Sequence, residues 1–355
     1  MAGRIAALLL LVFSLSSCGK RELPPSPDRW APKLSGAKAL DRNHVDLFFS
    51  EKMDETTAGR RESYSIADTG GGSLSIYSAS LLPDKQIVRL TTQEQAPVEY
   101  SVAVSGITDL GANEVRRGSV SRFKGSTLRD TTSPHVGSVY PQDGSVGVPG
   151  DTAIQIVFSE TMDTSSASLR RGSIVLLPPP FDSSFSWNEG MNIFYFSVAS
   201  LSSGKSSLYV TRGCMDHSGN GLARQAKSIF TTADSMSGGF IEGKVSVPVG
   251  TTPFGSSVGL FDSLWTPLLL ILTDSSGSFT FTHLEDGLYS VAAGQDEDGD
   301  DRFDIRGRSG ELAIEGSLPV EGVAVELTRE EVLPDPVERY LGNFRLMNSG
   351  AKEGD

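Results

Sequence analysis

The chain has 355 residues, with 31 Lys or Arg against 44 Asp or Glu, for a formal net charge of −13. That balance excludes attraction to nucleic acid or to anionic headgroups, and no Lys/Arg-rich segment argues otherwise. Only Cys18 and Cys214 are present, so this is no disulfide scaffold, and the length predicts two to three domains that fold on hydrophobic burial alone.

The N-terminus carries Arg4, then an apolar run from Ile5 to Phe13, then Ser14-Leu15-Ser16-Ser17 before Cys18. A charged start, a short apolar core and small residues before a cut predict a secretory signal over residues 1–17. The run is too short to span ~30 Å of hydrocarbon, which takes ~20 apolar residues. Leu15-Ser16-Ser17-Cys18 resembles the lipobox of bacterial lipoproteins. The resemblance implies that Cys18 is acylated and becomes the new N-terminus, a membrane anchor in which each buried methylene contributes ~0.8 kcal/mol. Gly19 follows, where an Asp would favour retention in the inner membrane, and so implies the outer membrane. Residues 18–33 contain Pro24, Pro25, Pro27 and Pro32 and read as a stiff, extended tether.

Short strands follow. Val45, Leu47 and Phe49 share one face by period-two alternation, as do Val88 with Leu90, and Tyr100, Val102 and Val104. Further on, Ile154, Ile156 and Phe158 do likewise, and Asn192 to Phe196 reads as a strand buried on both faces. Gly, Pro, Asp and Asn punctuate these runs. The pattern predicts an all-β chain of tandem antiparallel β-sandwiches, the first over residues 34–127 and the second over 128–234.

The two segments are copies. Phe49-Ser50-Glu51-Lys52-Met53-Asp54 recurs 109 residues later as Phe158-Ser159-Glu160-Thr161-Met162-Asp163. Asp109-Leu-Gly-Ala-Asn113 recurs 107 residues later as Asp216-His217-Ser218-Gly219-Asn220. That period is the size of one sandwich and not of a solenoid unit. Both copies resemble the bacterial Ig-like domain of S-layer proteins. The second carries its whole pattern: Pro141-Gln-Asp-Gly144 leading to Val148-Pro149, Phe158 to Asp163, and Asp216 to Asn220. The first lacks the opening segment, and its Gly111 comes one place early.

Physically, Phe49 and Phe158 are expected to close a strand face into the core, and Met53 and Met162 to plug the sandwich end. Asp54 and Asp163 are placed to cap the next turn or short helix. Glu51 with Asp54, and Glu160 with Asp163, are not acid/base pairs on this reading. The same pair occurs in two repeated units, with neither a nucleophile nor a proton shuttle beside it. Cys214 falls in a turn region and reads as a structural thiol, and His217 as an exposed turn residue.

A joint at Ser235–Gly239 precedes a different pattern over residues 240–328. Strands are expected at Phe240–Pro248, Ser257–Phe261, Leu268–Leu272, Ser278–Thr282 and Gly287–Ala293, with a turn at Asp274–Gly277. This order resembles the transthyretin-like or carboxypeptidase-regulatory-like β-sandwich, which implies a non-catalytic module. After it, Asp296, Asp298, Asp300 and Asp304 alternate in one acidic loop, in the manner of Ca²⁺ loops. Two such charges ~6 Å apart repel by ~3 kcal/mol at an effective dielectric near 20. Either the loop splays into water or a cation binds. It is no EF-hand, because Gly299 stands at the fourth position and Gly307 at the twelfth, leaving Glu311 as a more distant ligand. Residues 329–355 read as an extension and polar tail, with Tyr340–Leu346 as one more strand or a docking segment.

None of the four His stands at zinc or metalloprotease spacing, and no nucleophile elbow, Walker loop or dinucleotide fingerprint occurs. The expected function is a non-catalytic envelope lipoprotein, membrane-bound through its anchor. Its Ig-like modules are expected to be a spacer and a binding surface for a protein or glycan. The alternatives are a Ca²⁺-dependent binding module acting through residues 296–304, and a hydrolase of envelope polysaccharide.

Overall fold

The computed structural model describes residues 28–167, 173–178, 180, 183–198, 201, 204–298, 302–316 and 318–348. The signal segment with Cys18, the first part of the tether, Asp300 and the final tail lie outside the described residues. Six sheets carry the fold, and the residues between them pack into β-sandwich cores. No helix among the described residues is long and apolar enough to cross a membrane.

The first sandwich contains β1 (Leu34–Ala39), β2 (His44–Phe49), α1 (Glu55–Ala58), β3 (Tyr64–Asp68), β4 (Ser73–Leu74), β5 (Ile76–Leu81), β6 (Ile87–Thr92), β7 (Glu99–Val104) and β8 (Ser119–Lys124). One sheet runs β1-β2-β6-β5 and the other β4-β3-β7-β8. Register follows the alternation: Val45 lies opposite Leu90, and Leu47 opposite Val88, so all four meet on the inner face. Each such side chain stabilises by ~1.5–3 kcal/mol on burial.

The second sandwich contains β9 (Val136–Tyr140), β10 (Ala153–Phe158), β11 (Ile174–Leu177), β12 (Ser183–Trp187), β13 (Ile193–Val198), β14 (Lys205–Val210) and β15 (Ala226–Thr231). Its sheets run β12-β13-β10-β9 and β11-β14-β15. Here β13 departs from the expectation of burial on both faces. Phe194 and Phe196 point into the core, whereas Tyr195 between them is exposed. Among the described residues nothing buries Tyr195 on the outer face of this sheet, so the aromatic run alternates like any half-buried strand.

The third sandwich contains β16 (Gly239–Ser246), β17 (Ser257–Asp262), β18 (Pro267–Leu272), β19 (Ser278–Leu284), β20 (Gly287–Gln295), β21 (Ile305–Arg308), β22 (Leu312–Ile314) and β23 (Val320–Glu326). One sheet runs β19-β16-β23, with β16 and β23 parallel, and the other β18-β17-β20-β21, with β22 on β20. The uninterrupted Leu run of β18 is explained by its two covered faces. Leu269 joins the sandwich core, while Leu270 and Leu272 face a separate apolar cluster.

Of the two readings of Tyr340–Leu346, one more strand or a docking segment, the strand is corrected and the segment docks as a helix. The segment lies in a helix, α2 (Asp335–Asn348), which packs on β17, β18 and β20. Val337, Leu341 and Phe344 fall at the i, i+4, i+7 spacing of one helical face, and all three are buried. They meet Phe261, Leu270 and Ala292 of the third sandwich and Leu177 and Tyr209 of the second. The Tyr209 hydroxyl also accepts the Leu270 backbone N–H at 2.9 Å.

The first two sandwiches touch as well. The Ser78 and Thr161 hydroxyls lie 2.7 Å apart. Ser218 Oγ donates to Asn43 Oδ1 at 3.2 Å. His217 is not an exposed turn residue: its ring stacks on Tyr77, with centroids 4.0 Å apart and planes 9° from parallel. An aromatic partner in the neighbouring unit was invisible to a reading confined to one repeat.

Candidate functional site

The repeated motif builds the same end on each of the first two sandwiches. Phe49 and Phe158 finish β2 and β10 with their rings in the cores. The next residue clamps the entering chain. Ser50 exchanges two hydrogen bonds with the Lys33 backbone, each 3.0 Å, and Ser159 does the same with His135 at 2.9 and 3.0 Å. Met53 and Met162 are wholly buried and bridge to Asp109 and Asp216. Asp54 Oδ1 accepts the Thr57 N–H at 2.9 Å and caps α1, and Asp163 Oδ1 accepts the Ser165 N–H at 2.9 Å.

The late turn completes the end. Asp109 and Asp216 each accept the backbone N–H of the Asn four residues on at 2.8 Å. The Asn side chains reach on to the chain entering each sandwich: Asn113 Nδ2 donates to the Asp28 carbonyl at 3.3 Å, and Asn220 Nδ2 to the Asp130 carbonyl at 3.2 Å. The early Gly111 leaves Ala112, at φ 63°, in the left-handed position that Gly219 fills at φ 83° in the second copy.

This geometry gathers carboxylates that the sequence keeps apart. Asp28, Glu51 and Asp109 place one oxygen each within 4.8 Å of one another, and Asp130, Glu160 and Asp216 repeat the arrangement. Burial raises the Glu51 carboxyl above the usual range, with Asp109 and Asp28 adding to it. Glu160 is pushed up to about 7, first by burial and then by the charges of Asp216 and Asp130. Glu51 and Glu160 thus join other carboxylates, while Asp54 and Asp163 are occupied in capping.

In the second copy this end faces the first sandwich across a cleft of ≈510 Å³. His44, Asp41 and Arg89 line it from the first sandwich, Asp130 from the linker, and Glu160 and His135 from the second. Asp41 Oδ1 accepts the Asn43 and His44 N–H groups at 2.7 and 2.8 Å, and its Oδ2 meets His44 Nδ1 at 2.9 Å. Burial opposes a charged His44 ring, but the hydrogen bond and charge of Asp41 outweigh it and raise the imidazole above its usual range. Arg89 is committed to Asp46 by two bonds of 2.8 and 2.9 Å. Asp41, His44 and Asp130 form a second set whose ligand atoms lie within 4.8 Å, sharing Asp130 with the carboxylate set.

The acidic loop of the third sandwich does converge. Asp296, Asp298 and Asp304 bring oxygens within 4.8 Å, and Asp304 Oδ2 accepts the Glu297 N–H at 2.6 Å. Asp300 lies outside the described residues, and Glu311 is not part of the converging set. Glu297 itself pairs with Arg329, which offsets part of the local negative charge. Cys214 is fully buried in the second core, its Sγ 3.5 Å from the Ser173 carbonyl, and burial pushes the thiol up to about 12.

Sequence reasoning had singled out Glu51, Glu160 and Asp216, but not Asp28, Asp41, His44 or Asp130 as their neighbours. Asp28 and Asp130 are 102 residues apart, off the 109-residue period of Glu51 and Glu160, so the repeat alone does not align them.

Residues 130–232 match the bacterial Ig-like domain family. No curated protein matches the chain. Among solved structures, the N-terminal part of the bacterial S-layer protein SbsC is similar at 17% identity and TM-score 0.26, over 57% of this chain and 44% of that one. The MG0-NIE-MG1 domains of Escherichia coli alpha-2-macroglobulin are similar at 12% identity and TM-score 0.24, over 80% and 97%. The Bacillus cereus major pilin BcpA is similar at 10% identity and TM-score 0.20, over 75% and 94%. The chain thus spans less than half of the S-layer chain it matches.

Proposed function

We propose that this is a non-catalytic protein of the bacterial cell envelope, anchored through an acylated Cys18, whose sandwiches serve as a spacer and as a binding surface for a protein or glycan. One observation carries the reading. Consecutive sandwiches are tied by direct contacts, Tyr77 on His217 at the first junction and Tyr209 with α2 at the second, which suits a stiff presenting rod. The first sandwich is read as a divergent Ig-like domain on its Phe49–Asp54 motif, and the third as a transthyretin-like one on its order of strands and turns.

The test is fractionation of cells making the chain or its Cys18→Ser variant, with metabolic acyl labelling. The expected outcome is a labelled chain in the outer-membrane fraction, with label and membrane lost together in the variant. An unlabelled chain that fractionates like the variant refutes the anchor. Cross-linking in whole envelopes tests the binding half, and recovery of the monomer alone leaves only the spacer.

A second reading is favoured by the convergence of Asp296, Asp298 and Asp304, an all-oxygen set suited to Ca²⁺. It expects a higher melting temperature with Ca²⁺ than with EDTA, and no difference in an Asp298→Asn/Asp304→Asn chain. Identical melting of the unaltered chain in both solutions removes this reading.

A further inference from the structure

We propose that the cleft between the first two sandwiches is a site for a borderline transition-metal ion of the Zn²⁺ class, held by Asp41 and His44 of the first sandwich and Asp130 of the linker.

The donor set is the first argument. One imidazole and two carboxylates place ligand atoms within 4.8 Å of one another. Nitrogen with carboxylate oxygen suits Zn²⁺ and its neighbours, whereas an all-oxygen set suits Ca²⁺. The junction therefore differs in kind from the loop of the third sandwich. It also differs from the Asp28, Glu51 and Asp109 cluster of the first copy, in which no histidine joins.

The surroundings are the second argument. The set lines a cleft of ≈510 Å³, so an ion and its water have room. Asp41 is fixed by the Asn43 and His44 backbone, and an ion would take the place of the proton that His44 Nδ1 and Asp41 Oδ2 share at 2.9 Å. Fixed side chains reduce the entropy cost of binding. Charge is the third argument. Glu160 and Asp216 also place carboxylate oxygens within 4.8 Å of Asp130. Glu160 accepts no hydrogen bond from any described residue. Arg89, which lines the same cleft, is already spent on Asp46. A divalent ion would offset the carboxylates gathered around Asp130. Three protein ligands leave an open position for water. Because the ligands come from a sandwich and from the linker to the next, the ion would fix the angle between the two.

The test is titration of the full chain, stripped with EDTA, with ZnCl₂ by calorimetry and with CoCl₂ by visible absorption. The expected result is one ion per chain, with a cobalt spectrum of mixed nitrogen and oxygen ligation. His44→Gln and Asp130→Asn are each expected to weaken binding by about tenfold or more, while His283→Gln, an exposed histidine of the third sandwich, has no effect. Asp130→Asn keeps the carbonyl that accepts the Thr132 N–H, so it tests the site even if His44→Gln fails to fold. Absence of saturable Zn²⁺ binding overturns the proposal. So does binding that survives both substitutions, or binding at the junction that Ca²⁺ satisfies equally well.

Discussion

Glu160→Gln is expected to stabilise the protein at alkaline pH and to do nothing at acid pH. The folded carboxyl titrates at about 7 against 4.5 for an ordinary one, through burial and the charges of Asp216 and Asp130. Its folded value is raised, so the folded state holds the proton more tightly. No cost arises below 4.5; it grows as pH rises and is complete above about 7. A shift of that size carries at most ~3 kcal/mol, and the partial solvent access of Glu160 reduces this to ~1–2 kcal/mol. Gln removes the charge, and no hydrogen bond from a described residue is lost with it. Calorimetric melting in EDTA reads the result. At a pH near 8 the transition should rise by roughly 4–8 °C per kcal/mol, and near pH 4.5 the two proteins should melt together. A neutral or destabilising substitution at pH 8, or an equal gain at both pH values, would refute the reasoning.

Four further outcomes are expected. Met162→Ala empties a fully buried site at the sandwich end and should cost ~2–5 kcal/mol in urea denaturation. Tyr209→Phe leaves the Leu270 N–H without its acceptor and should cost ~1–3 kcal/mol, seen as a lower melting temperature with an unchanged far-UV spectrum. Asn220→Ala frees the linker carbonyl of Asp130; limited proteolysis between the first two sandwiches should speed up, while Asn113→Ala should leave that cut unchanged. Cys214, whose buried thiol is pushed up to about 12, should resist an aromatic disulfide reagent in the native protein and react at once in denaturant.

Much of the architecture was written locally. Val45, Leu47 and Phe49 announce β2 because a half-buried strand must alternate, and repetition of the Phe-Ser-Glu-x-Met-Asp segment marks two units of one kind. What stayed hidden depends on surfaces meeting. Tyr195 could be placed outside only by knowing which sheet face is covered. His217 needed Tyr77, 140 residues earlier. The pairing of Glu160 with Asp216 and Asp130 arises from chain segments that a linear motif does not join. The helix α2 was the exception, since Val337, Leu341 and Phe344 show helical spacing and Pro336 suits a first turn. Gly342 and Asn343, poor helix formers within the same stretch, masked it.

The position of α2 also sets a timetable. During synthesis the chain emerges from its N-terminal end, and each sandwich can close once its own strands are out. The seam between the second and third cannot. Leu177, Tyr209, Phe261 and Leu270 wait for Val337, Leu341 and Phe344, which are made later. A chain cut short before Asp335 would fold its sheets and still present a greasy seam to chaperones and proteases. The helix α2 thereby distinguishes a chain that includes it from one cut short before it.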